Sequence, residues 1–300
     1  MVLLDALAGS PTFFISAVLV LGLLVGSFLN VVIYRVPVML EREWRQQCAQ
    51  LTAPDAPAGT PAPRFDLVVP RSSCPKCQAP ISALQNIPVF SYLFLRGRCA
   101  HCRTHISVRY PLIEALTGVL SGLVAWKFGY GATAVAALVL TWFLIALTFI
   151  DVDTQLLPDS MTLPLVWLGI ATSAFLQSNP NASLPVSLHN SIIGAMAGYL
   201  SLWSIFHLFK LLTGKEGMGY GDFKLLAAIG AFLGWRMLLP TVLGAAAVGA
   251  VVGTVILTLK GKGRGVPIAF GPFLAASGWI MLMWGRELLE GYLGLFGLHS

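Results

Sequence analysis

Apolar runs of roughly spanning length recur eight times in this 300-residue sequence, near residues 11–34, 110–129, 131–150, 161–177, 189–213, 223–239, 240–259 and 267–289. A helix needs about 20 apolar residues to cross the hydrocarbon of a bilayer. Inside that hydrocarbon the backbone must satisfy its own polar groups, which restricts such runs to helices. Only 11% of residues are charged, against about 25% in a soluble domain. The chain therefore reads as an all-α polytopic membrane protein with about eight transmembrane helices. The pair at 223–259 is interrupted only by Gly234, Trp235, Arg236 and Pro240. Read as one broken helix, it would leave seven spans.

Charge decides between the two counts. With the N-terminus outside, the inner segments are 35–109, 151–160, 210–224 and 260–266. All of the 19 basic residues except Lys127, Arg236 and Arg286 then fall inside. Cytoplasmic loops carry the excess of Lys and Arg, so eight spans with both termini outside is the expected topology. Seven spans would place Lys260, Lys262 and Arg264 on the wrong side. The formal charge of +6 reports orientation in such a chain and gives no reason to expect a nucleic-acid partner. Residues 1–10 hold no Lys or Arg, so the first apolar run reads as a permanent span rather than a cleavable signal.

Residues 35–109 are the one sizeable soluble piece. An Ala/Pro-rich stretch near 52–63 reads as a linker, and no convincing long-period repeat stands out. Cys74-Pro-Lys-Cys77 and Cys99-Ala-His-Cys102 are paired C-x2-C knuckles, the pattern of a four-thiolate zinc site. Disulfides and a redox C-x-x-C pair are the competing readings, and a reducing cytoplasm argues against the former. Four thiolates leave no open coordination position, so such a zinc would be structural. Lys76 and Arg98 would offset its charge. His101 and His105 could replace a ligand but read more simply as surface residues, and Cys48 as a free thiol.

Two acids stand out against this apolar background. Asp151 ends one apolar run and Asp222 opens another, after Gly217-Met-Gly219-Tyr-Gly221. The expected topology puts both at the inner interface. Two adjacent carboxylates share one proton and can serve as acid and base together. The glycines would let an extended backbone approach Asp222 closely. Asp153 and Asp159 could each take the place of Asp151. Taken singly, each acid also fits an ordinary interfacial charge, favoured at a helix N-terminus by the dipole.

Gly219-Tyr-Gly221-Asp222 resembles the GxGD signature of intramembrane aspartic proteases. Ile150-Asp151-Val-Asp153-Thr-Gln-Leu-Leu-Pro-Asp159 resembles the first active-site segment of the type IV prepilin peptidases. Gly26-Ser-Phe-Leu-Asn30-Val-Val-Ile-Tyr-Arg35, Asn86-Ile-Pro88, Leu95-Arg-Gly-Arg-Cys99 and Ile106-Ser-Val-Arg-Tyr-Pro-Leu-Ile-Glu114 resemble other segments of the same family. The resemblance runs in order along nearly the whole chain, the Ala/Pro stretch excepted. It implies a bacterial inner-membrane enzyme that cuts the leader from type IV prepilins and type II secretion pseudopilins at the cytoplasmic face. It further implies methylation of the new N-terminal amine by S-adenosylmethionine. Asp151 and Asp222 would be the catalytic pair, and Cys74, Cys77, Cys99 and Cys102 the zinc ligands. The implied domains are 1–34, a first transmembrane helix; 35–109, the cytoplasmic zinc module; and 110–300, a seven-helix peptidase core.

For the methyl donor the sequence offers Glu114, Arg96 and Arg98 as weak candidates, with Asn30 and Asn86 nearby. Glu114, just inside the second span, also fits a salt bridge to Arg109 or Arg35. Rival readings are a peptidase without methylation, a proton-coupled transporter with relay acids, and a non-catalytic assembly protein that docks through its zinc loop. A transporter would place acids near the midplane within inverted repeats, and neither feature is evident.

Overall fold

The computed structural model describes residues 2–52, 64–82, 84–176, 184, 186–260 and 269–295. The Ala/Pro stretch from residue 53 and the basic residues Lys262 and Arg264 lie outside them. Ten α-helices and no strand occur among the described residues: α1 Val2–Gly9, α2 Pro11–Thr52, α3 Phe90–Phe94, α4 Arg109–Phe128, α5 Ala132–Thr154, α6 Asp159–Phe175, α7 Leu188–Thr213, α8 Tyr220–Leu233, α9 Leu238–Lys260 and α10 Gly271–Leu295. Five helical segments are long and apolar enough to cross a membrane by length and composition: α2, α4, α5, α7 and Trp235–Val255. The protein is thus an all-α polytopic membrane protein, with a four-cysteine module between its first two long helices.

The chain divides into two compact units, Met1–Trp126 and Lys127–Ser300. In the first, α2 and α4 pack at glycines. A side chain at Gly26 would begin 2.7 Å from Glu114 Cα, and one at Gly22 2.5 Å from Ser121 Oγ. Small residues of this kind let membrane helices approach closely. The 42 residues of α2 make a helix of about 63 Å, twice the thickness of the hydrocarbon. The apolar run stops near residue 34, but the helix continues through Pro37 to Thr52. Its extension is held by the loop that follows. Arg35 is buried and donates from Nη1 to Asp66 O (2.7 Å) and from Nη2 to Pro70 O (2.5 Å). Arg42 stacks 4.1 Å from the centre of the Phe65 ring. Asp66 accepts from the N–H groups of Val69 and Val68, which hold its carboxyl down to about 2.

The second unit is built around α8. Every residue of α8 from Leu225 to Leu233 is buried, and α6, α7, α9 and α10 pack against it. Its neighbours offer glycines. A Cβ at Gly194 of α7 would fall 2.1 Å from Gly230 O, one at Gly169 of α6 2.7 Å from Ala231 Cβ, and one at Gly278 of α10 2.7 Å from Ile229 Cδ1. Ser191 seals the α7–α8 contact by donating to Ala231 O at 2.6 Å. The stretch 223–259 is two helices, not one. Gly234 at φ +78° ends α8, a 3-10 turn covers Trp235–Met237, and α9 follows.

Candidate active site and metal centre

In the second unit, Asp151 lies in the last turn of α5 and Asp222 in the first turn of α8. They are 5% and 6% exposed, although each ends or opens a helix. Asp151 Oδ2 and Asp222 Oδ1 have no hydrogen-bond partner among the described residues. The two carboxyls are near enough for the charge of Asp151 to act on Asp222. Helix α5 stops just beyond Asp151, where Gln155 turns left-handed (φ 55°) and its N–H bonds Asp151 O at 2.8 Å.

The alternatives to Asp151 are engaged or exposed. Asp159 is exposed and paired with Lys224 of α8 at 2.5 Å, a clamp between the first turns of α6 and α8. Asp153 is exposed on the last turn of α5. The three glycines before Asp222 do not serve one purpose. A side chain at Gly221 would meet Leu157 Cβ at 2.5 Å, and one at Gly217 would meet the Phe209 ring at 3.0 Å. Both are packing contacts. Only Gly219 faces the carboxylate, its missing Cβ 3.8 Å from Asp222 Oδ2.

The sequence reading missed a third element. Gly271, first residue of α10, abuts Asp151 so closely that a Cβ there would fall 2.5 Å from Asp151 Oδ2 and 3.2 Å from Leu157 Cδ1. Leu157 thus packs between Gly221 and Gly271 and joins the segments that carry the site. The one sequence signal for it was Gly-Pro at the opening of the last apolar run.

In the first unit, the sulfurs of Cys74, Cys77, Cys99 and Cys102 all lie within 4.8 Å of one another. Cys74 and Cys102 are 3.8 Å apart, and Cys77 and Cys99 4.0 Å. Tetrahedral coordination at 2.3 Å per sulfur requires about 3.8 Å between sulfurs, whereas a disulfide needs about 2.05 Å. The cluster could hold a metal ion, and all four cysteines are free thiols.

The two knuckles are one structure used twice. Cys74 N–H bonds Ala79 O, and Cys99 N–H bonds Thr104 O. Gln78 N–H returns to Cys74 O, and Arg103 N–H to Cys99 O. Ile81 N–H bonds Ser72 O, and Ile106 N–H bonds Gly97 O. Gln78 and Arg103 share the left-handed backbone (φ 61° and 55°). The halves lie 25 positions apart, with Arg71 matching Arg96, Ile81 matching Ile106 and Ser82 matching Ser107. The chain therefore does contain an internal repeat, too short to register beside the helices. Backbone N–H groups of Cys77 and Lys76 aim at the Cys74 sulfur and hold its thiol down to about 6. Those of Cys102 and His101 lower Cys99. Donors aimed at sulfur favour thiolate, the form that binds metal.

Glu114 of α4 is buried, and no salt bridge to it occurs among the described residues. Its Oε2 accepts from Val89 N–H at 2.7 Å, and the Ser27 hydroxyl is also within reach. Arg35, one of the two arginines expected to pair with it, donates instead to Asp66 O and Pro70 O. Ser27 donates to Asn86 Oδ1 (3.3 Å), and Asn30 Nδ2 to Gly26 O and Tyr110 O (3.2 Å each). Arg96 and Arg98 are exposed, and no hydrogen bond or ion pair links either to Glu114 among the described residues.

Comparison with known proteins agrees with this partition. Residues 20–128 match the bacterial peptidase A24 N-terminal domain, and residues 138–254 match the type IV leader peptidase family. A prepilin leader peptidase/N-methyltransferase of Stutzerimonas stutzeri is 52% identical over 96% of this chain and 97% of its own. One of Pseudomonas aeruginosa is 49% identical over 99% of each. One of Neisseria gonorrhoeae is 54% identical over 87% of each. No solved structure matches the chain. With relatives this similar over nearly their full length, the chain belongs to the type IV leader peptidase family.

Proposed function

We propose that this protein removes the leader peptide from type IV prepilins and type II secretion pseudopilins, and then N-methylates the residue it exposes. The observation that carries the peptidase is the pair of buried carboxyls in one unit, Asp151 and Asp222, each with an oxygen that has no hydrogen-bond partner among the described residues. Buried so close together, the pair holds one proton between its two groups. The ionised member takes a proton from a water molecule, whose oxygen attacks the scissile carbonyl carbon. The protonated member donates to the carbonyl oxygen. When the adduct collapses, the proton held by the first group passes to the leaving amine, and a hydroxyl of the adduct returns its proton to the second group. Gly219 leaves space beside Asp222 for the substrate backbone.

Cys74, Cys77, Cys99 and Cys102 would hold a structural zinc, supplying cross-links to a module with little core of its own. Methylation requires a donor, S-adenosylmethionine in our reading. We place the protein in the bacterial inner membrane with eight spans, the short α8 shielded by protein. The cysteine module and both aspartates face the cytoplasm, and both termini the periplasm. In this reading residues 110–300 form the seven-helix core.

The test uses wild type, Asp151→Asn and Asp222→Asn in membranes with a model prepilin, followed by mass spectrometry of the N-terminus. Each substitution should abolish leader removal, while methylation of a pre-cut substrate continues. Cleavage surviving in both variants would remove the aspartate pair from the mechanism.

A further inference from the structure

The short segment Leu84–Phe94 exposes an apolar surface that the fold leaves uncovered. Leu84, Phe90, Leu93 and Phe94 are 79%, 63%, 66% and 93% exposed, and Ile87 44%. A cluster of this kind on a water-facing loop marks a surface that meets something else.

Hydrogen bonds to the flanking helices fix its depth. Val89 N–H is bonded to Glu114, five residues into α4 from Arg109. Five residues are about 7.5 Å along a helix axis. Asn86 is bonded to Ser27, eight residues before Arg35 on α2, or about 12 Å. Arg35 marks the polar level, because its guanidinium is bound to carbonyls of the loop at 66–70. Residues 86–89 are therefore tied about 7–12 Å nearer the bilayer centre than Arg35 of α2 and Arg109 of α4, a distance set by the helical rise. Interfacial elements bury their apolar side about 5–10 Å deep.

The backbone is equipped for that depth. Phe90, Ser91, Leu93 and Leu95 N–H groups bond to Pro88, Ile87, Val89 and Ser91 carbonyls. Val89, at the left-handed start of α3 (φ 60°), has its N–H taken by Glu114. Backbone in contact with lipid requires such closure, which gives buried Glu114 a reason to be there. Arg96 and Arg98, both exposed, follow at once, placed as cations beside inserted aromatics to meet anionic headgroups.

We propose that Leu84–Phe94 is an interfacial segment inserted into the cytoplasmic leaflet, with lipid acyl chains as its partner and Glu114 as its backbone anchor. It would hold the cysteine module down on the membrane surface. The module is then an attached platform rather than a free soluble domain.

The test places a benzophenone amino acid at Leu93 or Phe94 of the full chain, in vesicles of phosphatidylethanolamine and phosphatidylglycerol, each variant checked for leader removal. Phe28, exposed on α2, is the lipid-facing control, and His101, exposed on the module, the water-facing one. After irradiation, acyl-chain adducts at 93 and 94 should reach at least half the yield at 28 and several-fold that at 101. Yields at the level of 101 would overturn the proposal. So would adducts at 93 and 94 that form only with added prepilin, which would make the surface a substrate-docking site.

Discussion

At the residue scale, Gly271 and Glu114 give the sharpest predictions. A Cβ at Gly271 would fall 2.5 Å from Asp151 Oδ2, so the glycine leaves no room for a side chain beside that carboxyl. Gly271→Ala should displace the carboxyl by a large fraction of an ångström. Misplacement of that size costs about 100-fold in rate. The expected result is a fall of that order in kcat for leader removal with little change in KM, read by single-substrate kinetics. Methylation of a pre-cut peptide should persist. Glu114 supplies the second prediction. If its role is to accept from Val89 N–H, Glu114→Gln keeps an acceptor and should keep both fold and methylation. Glu114→Ala strands the N–H and should cost about 1–3 kcal/mol, measured by thermal unfolding in detergent. Loss of methylation in a well-folded Gln variant would show that the charge itself is needed.

At the element scale, α8 is held by what its neighbours lack. At Gly194 and Gly230 the backbones of α7 and α8 approach until a methyl group has no room. Overpacking typically costs about 1–3 kcal/mol. Gly194→Ala should lower stability by that amount and, because α8 carries Asp222, reduce leader removal as well. A melting curve and a cleavage assay on one preparation check both. Helix α2 teaches a related lesson. Its apolar pattern ends near Tyr34, yet the helix runs to Thr52. What sustains it is the docking of Phe65 and the 66–70 carbonyls on Arg35 and Arg42, which the local pattern does not encode.

At the scale of the whole molecule, the chain separates chemistry by unit. Both buried aspartates belong to the second unit, and the cysteine cluster and Glu114 to the first. Metal removal should respect that boundary. We expect one zinc per chain by elemental analysis, absent in Cys74→Ser. Limited proteolysis of that variant should open the module between residues 71 and 105 while α5–α10 stay protected. Equal sensitivity in both units would show that the metal supports the fold as a whole.

The membrane class, the helical architecture and the cysteine quartet were legible in the sequence, which also singled out Asp151 and Asp222. Each is a local signal: a run of apolar residues, a fixed C-x2-C spacing, or a carboxylate where water gives way to hydrocarbon. What those signals meet depends on how the helices pack. The tertiary structure paired Asp159 with Lys224, and it gave Glu114 the Val89 N–H as a partner. It brought Gly271, more than 100 positions beyond Asp151 by their numbering, against the carboxyl. A glycine carries no chemistry to read in sequence. Its role is the space it leaves, and that space exists only once α10 has packed against α5 and α8.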